Sequence, residues 1–240
     1  MTPVNILAER GGVLAILKPA GLATQAAPGV PSVEAWARQA LAGRGGSRYL
    51  GVPHRLDRAV SGVMLLAATP RAARKLARQF ERREVKKTYL AVVSHPAEAT
   101  VLPEQWTEWR DRVAKIPDEP RGRVVASAEE GREAVTQVRV AGRGDVAGER
   151  RMVLELLPTT GRMHQLRLQA AARGMPVVGD SLYGGPPLPD AVGTDGDPRT
   201  MPILLHAWKI RYADPDSTEP IEVVAPLPDF WPQWTGPAAE

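Results

Sequence analysis

Apolar residues along this chain fall in short bursts, each closed by a break rich in glycine, proline or charge. Residues 14–17 form one such burst, stopped by Lys18-Pro19-Ala20-Gly21, which predicts a strand running into a turn. The spacing over 33–41 is helical, with Ser32 placed to cap it and Glu34 in its first turn. Residues 63–67 read as a strand. Residues 71–83 read as a helix whose Leu76 and Phe80 share one face, while Arg71, Arg74, Lys75, Arg78, Arg82 and Arg83 supply charge around the rest. Residues 88–93 are rich in strand formers and predict a buried strand. Residues 134–140 and 152–157 predict paired strands about a glycine-rich turn. A helix is expected over 164–173, ended by Gly174 at its C-cap and Pro176 beyond. Residues 203–212 and 221–225 read as late strands joined by an Asp-Pro turn.

Residues 43–47 and 186–202 read as loops, and 103–123, proline-punctuated around Trp106 and Trp109, give no clear element. No repeat and no long linker interrupts the pattern. Short strands mixed with a few helices, without regular strand–helix alternation, point to a single domain of the α+β class.

Composition narrows the possibilities little: 43% hydrophobic and 24% charged residues are the shares of an ordinary globular protein. The absence of cysteine rules out disulfides and thiolate metal sites. Residues 1–10 do not read as a signal peptide, and no apolar run approaches the roughly 18 residues of a membrane helix. A cytoplasmic protein with no membrane partner is therefore expected, and a monomer is the default. The net charge of +4 and pI near 9.6 tilt it towards a polyanion. The excess is largely arginine, which suits forked contacts to phosphate and base edges.

Charge alone does not name a reaction, but two clusters do more. In His54-Arg55-Leu56-Asp57-Arg58, a carboxylate sits among cations that favour its charged form, so it is poised as a base or nucleophile. Read in isolation, a surface ion-pair cluster explains the same residues. In Thr159-Thr160-Gly161-Arg162-Met163-His164-Gln165-Leu166-Arg167, donors gather at an expected helix start and could meet phosphate, a base edge or a distant carboxylate. Tyr89, in Lys86-Lys87-Thr88-Tyr89, is by general habit a core residue, unless an unstacked base lies on its ring. The glycine-bracketed Gly179-Asp180-Ser181-Leu182-Tyr183-Gly184 either shapes a pocket wall or simply turns the chain.

Taken together and in this order, the segments resemble the RluA-type pseudouridine synthases. H-R-L-D-R-A-V-S-G is similar to the family signature, T-G-R-M-H-Q-L-R to its arginine-bearing segment, and G-M-P-V-V-G-D-S-L-Y-G to its glycine-rich loop. K-K-T-Y-L-A-V-V, L-A-I-L-K-P-A-G and the closing L-L-H-A-W-K-I-R-Y and A-P-L-P-D-F resemble further family segments. The match runs from about residue 14 to 230. It departs at Arg167-Leu168-Gln169, where the family commonly has R-x-H, and at Leu17, where Asn is usual.

The resemblance implies one catalytic domain over 1–240, built on a mixed, mostly antiparallel sheet flanked by helices, with no separate S4-type RNA-binding domain. It also implies an isomerase converting uridines of tRNA or rRNA to pseudouridine, with no cofactor and no metal. Asp57 would be the essential carboxylate, Tyr89 the ring that stacks on the base, and Arg167 the partner that orients Asp57. Arg55 and Arg58 would hold the RNA backbone, while His54, Arg162, His164 and Gln165 would add RNA or pocket contacts.

Two rivals compete. A binding-only RNA module explains the basic charge but not an aspartate within it. A kinase-like enzyme is echoed by His54-Arg55-Leu56-Asp57 but lacks the phosphate-covering glycine loop and the D-F-G segment.

Overall fold

The computed structural model describes residues 4–43, 49–94, 105–146, 148–188 and 200–235. In chain order its elements are β1 (Asn5–Arg10), β2 (Val13–Lys18), α1 (Val33–Ala42), β3 (Ser61–Ala67), α2 (Pro70–Glu81), β4 (Lys86–Val93), β5 (Thr107–Lys115), β6 (Gly122–Val125), β7 (Arg132–Val146), β8 (Glu149–Pro158), α3 (Gln165–Ala171), a 3-10 turn (Ser181–Tyr183), β9 (Leu205–Ala213), β10 (Pro220–Val224) and β11 (Trp234–Thr235). Strands thus dominate, with helices inserted between them, and the architecture is α+β as the pattern predicts. Most of each of the expected loops at 43–47 and 186–202 lies outside the described residues.

The chain divides into two compact units, Met1–Lys87 with Ala207–Leu227, and Thr88–His206 with Pro228–Glu240. In the first, the strand order is β1-β2-β3-β9-β10. The pairs β1–β2, β2–β3 and β9–β10 are antiparallel. β3 is buried along its whole length, so its run of apolar residues serves both faces of the sheet. One face carries Val13, Ala15, Val63, Leu65, Ile210 and Tyr212, against which α2 packs Ala72 and Leu76. Thr69 caps α2 by accepting from the Ala72 amide, and Pro70 opens its first turn, where a missing N–H costs nothing. Ser32 caps α1 in the same way through the Ala35 amide.

The second unit orders its strands β4-β8-β7-β5-β6, with β11 beside β7. Every one of these pairings is antiparallel. β7 and β8 form the expected pair but run further than the apolar residues reach, to Val146 and Glu149 at the turn. β4 is buried from Leu90 to Val93 only; Thr88 and Tyr89 are half-buried. The stretch that gave no clear element holds the β5–β6 hairpin. Its signal is hidden because only Trp109 and Val113 of β5 are buried, while Glu108 and Arg110 pair on the exposed side.

α3 corrects the sequence reading. It begins at Gln165 rather than residue 164, because His164 takes a left-handed backbone (φ 52°) that a helix cannot contain, and it ends at Ala171. The C-cap is Ala172, two residues before Gly174.

Candidate active site

In the first unit, the loop carrying Asp57 is pinned to the turn that follows β2. Thr24 Oγ1 donates to the Leu56 carbonyl (2.9 Å) and accepts from the Leu56 amide (3.2 Å). Arg58 Nε donates to the Gly21 carbonyl (3.0 Å), and the Gly21 amide donates back to the Arg58 carbonyl (2.8 Å). Both backbone neighbours of Asp57 are therefore fixed, and the half-buried carboxylate inherits that rigidity.

Beneath the loop lies Lys18, wholly enclosed. Its ammonium donates to the carbonyls of Leu22 (2.7 Å), Pro19 (2.9 Å) and Arg58 (3.1 Å), one acceptor for each proton. Burial pulls its pKa down to about 7, Asp57 acts in the opposite direction, and Arg58 lowers it further. The sequence places Lys18 in a turn and in a family-like segment, and neither discloses this role. The one local signal was a lysine at the end of an otherwise buried strand.

His54 proves to be scaffold. Its Nε2 accepts from the Leu65 amide (2.8 Å), and its ring stacks on Phe80 at 4.6 Å between centroids. Burial, with the Lys87 charge nearby, pushes it down to about 3. Some of its surface reaches solvent, but the nitrogen that would take the proton is already occupied, so the neutral form follows from geometry. It adds no cation to the Asp57 loop. Arg55 is exposed, and Arg58 is half-buried.

In the second unit, Arg167 is buried on α3 and grips Asp180 with two parallel bonds, Nε to Oδ2 and Nη2 to Oδ1, each 2.7 Å. A bidentate pair of this kind fixes the plane of the guanidinium as well as its position. The Tyr183 ring lies under that guanidinium at 5.1 Å. Tyr183 Oη in turn accepts from the Gly122 amide (3.0 Å) and meets His164 Nδ1 at 2.7 Å. The glycine-bracketed loop thus aims an arginine. Gly179 (φ +88°) permits it, since a Cβ there would lie 2.8 Å from the Pro202 carbonyl oxygen. Asp180 and Tyr183 were not singled out from the sequence as its partners.

Gln165, expected from the sequence as an RNA or pocket contact, is bonded within its own unit. It is buried, and it accepts from Thr160 Oγ1 and the Arg162 amide while donating to the Val135 carbonyl and Thr136 Oγ1. These bonds use its amide fully and tie the T-G-R segment to β7. Gln169, at the position where the resemblance departs, is wholly buried and links Thr136, Trp109, Asp111 and Ala134. Arg162 stays half-buried, with Nε on the Glu133 carbonyl (2.9 Å). Tyr89 lies on β4 opposite Leu156, half-buried.

A half-buried carboxylate on a clamped loop above a buried lysine, in a basic chain of α+β architecture, is an arrangement suited to acting on a polyanion. The comparisons with known proteins make the class specific. The family model for RNA pseudouridylate synthase matches residues 12–172. The ribosomal large subunit pseudouridine synthase D of Xanthomonas campestris is 35% identical over 239 residues, covering 95% of this chain and 67% of its own. The dual-specificity RNA pseudouridine synthase RluA of Escherichia coli is 36% identical over 165 residues, covering 68% and 66%. The chain thus spans about two-thirds of the length of these relatives.

Among solved structures, the human RNA pseudouridylate synthase domain containing 1 superposes with a TM-score of 0.72 at 25% identity, over 97% of this chain and 89% of that one. The chain belongs to the RNA pseudouridylate synthase family, of the RluA type. It is an isomerase that converts uridine in RNA to pseudouridine.

Proposed function

We propose that Asp57 is the essential carboxylate of this reaction, and that the substrate is a uridine of structured RNA, ribosomal or transfer. The observation that carries the reading is the double backbone clamp on Leu56 and Arg58, with Lys18 enclosed below. An ordinary surface ion pair needs no such support, whereas a functional carboxylate must be held in place. The names of the two bacterial relatives point to ribosomal RNA for one and to more than one target for the other.

Pseudouridine formation breaks the N1–C1′ bond, turns the base and joins C5 to C1′, with a proton leaving C5 and one arriving at N1. Both reacting atoms are hidden in a stacked duplex, so the nucleotide must be flipped or presented by a loop. Asp57 has three ways to begin: attack on C1′, addition to C6, or removal of the C2′ proton to give a glycal. All three need the carboxylate as a base or nucleophile. Tyr89 stacks on the base, a contact worth about 1–3 kcal/mol. Arg167, held by Asp180, is a further catalytic residue; Arg55, Arg58 and Arg162 hold the RNA backbone, with His164 as a further RNA or pocket contact. Both units act together as one catalytic domain, a monomer working in the cytoplasm on its RNA.

The test is substitution of the carboxylate alone. Asp57→Asn should fold as the parent does and form no pseudouridine in ribosomal or transfer RNA transcripts. Mapping pseudouridines in cells with and without the protein names the target. Activity retained in Asp57→Asn removes that residue from the chemistry.

A further inference from the structure

Helix α2 carries far more positive charge than folding asks of it. Arg71, Arg74, Lys75, Arg78 and Arg82 are all exposed. At 3.6 residues per turn their side chains fall within an arc of about 100° along about 16 Å of helix. The buried residues Ala72, Leu76 and Gln79 leave from the far side, so the basic stripe faces outward.

Among the described residues, ion pairs form only at its ends: Arg71 meets Asp216 at 3.3 Å, and Arg82 meets Glu84 at 4.0 Å. Among the described residues, Arg74, Lys75 and Arg78 have no ion-pair partner. Cations at 71 and 75, 74 and 78, and 78 and 82 stand four residues apart, a spacing at which like charges destabilise a helix. Only the charge nearest the C-terminus is repaid by the helix dipole. A surface that weakens its own helix is explained when a polyanion lies on it.

We propose that the outward face of α2 is a docking surface for the sugar-phosphate backbone of the RNA substrate, with Arg74, Lys75 and Arg78 at its centre. This rests on the reading that the chain modifies RNA. Its occupant is a phosphodiester strand because the stripe is linear, arginine-rich and free of large apolar side chains, which leaves charge as the means of attraction. No base edge is read here, so the surface adds affinity without sequence preference.

The experiment compares two triple variants of the full chain. Arg74→Gln, Lys75→Gln and Arg78→Gln together strip the stripe. Arg110→Gln, Arg121→Gln and Arg123→Gln remove the same charge from arginines already paired with Glu108, Glu119 and Glu130. Affinity for a transcript on which the parent forms pseudouridine is measured against potassium chloride concentration, and turnover is measured at saturating RNA. The stripe variant should bind at least tenfold more weakly at low salt. Its slope of log affinity against log salt should be shallower by about 2 to 3, at about 0.9 for each lost phosphate contact. Turnover at saturation and thermal midpoint should stay within twofold and within a few degrees of the parent, and the second variant should keep the parent's slope.

An unchanged slope in the stripe variant of an active parent overturns the surface and leaves the enzyme reading intact. Equal losses in both variants overturn it as well, since net charge then suffices. A parent that neither binds RNA nor forms pseudouridine overturns both.

Discussion

His54 stands three residues before Asp57, and its neighbours in sequence read as one charged group, yet its imidazole is neutral and structural. Folding holds its pKa down at about 3 from an ordinary 6.5, through burial first and the Lys87 charge second. Between those values the unfolded chain takes up a proton that the folded chain refuses. The stability from this residue is complete above pH 6.5 and drains away as pH falls towards 3, by about 1.4 kcal/mol for each unit at most. Urea unfolding midpoints of the parent should therefore drop from pH 7 to pH 4 more steeply than those of His54→Gln. Parallel profiles would mean that some other group governs the acid side. Lys18 teaches the same lesson from beneath the loop: which residues flank a carboxylate is visible in sequence, while which of them carry charge beside it depends on hydrogen bonds to residues far along the chain.

β3 has at its second position a glycine that the family signature contains and whose need only packing explains. Gly62 has φ +122°, and a Cβ placed on it would lie 2.3 Å from the Ala207 carbonyl oxygen and 2.5 Å from its amide nitrogen. The obstacle is backbone on β9, which cannot swing aside as a side chain can. Gly62→Ala should cost about 3 kcal/mol or more, read as a fall in thermal midpoint, with activity lost alongside the fold. A cost below about 1 kcal/mol would show that the strands separate easily there. Elements whose local signals agree, such as α1 with its Ser32 cap and α2 with Leu76 and Phe80 on one face, were legible from sequence. The β5–β6 hairpin was not, because its exposed side is polar and its buried side rests on Trp109 and Val113. α3 was misplaced at its start because the left-handed turn at His164 is imposed by the residues around it, Tyr183 among them.

Across the whole molecule, the net charge of +4 understates how the cations are placed. Many arginines are answered by neighbouring carboxylates, as at Arg139 and Arg173, while the centre of α2 is left open. Binding to RNA should accordingly depend on salt, with affinity falling more than tenfold between about 50 and 200 mM while turnover at saturating RNA holds. Salt-independent affinity would mean that apolar and stacking contacts carry the complex. What the chain's sequence settled by itself was the family, the reaction and the order of most strands and helices, because these are written in contiguous motifs and short periodic patterns. What only the tertiary structure decided was the support of the functional side chains: Lys18 under Arg58 across 40 positions, Thr24 on Leu56 across 32, Asp180 on Arg167 across 13. Such pairings have no local signature, since a hydrogen bond depends on where two distant segments meet after folding, and a residue's neighbours in sequence carry no record of that meeting.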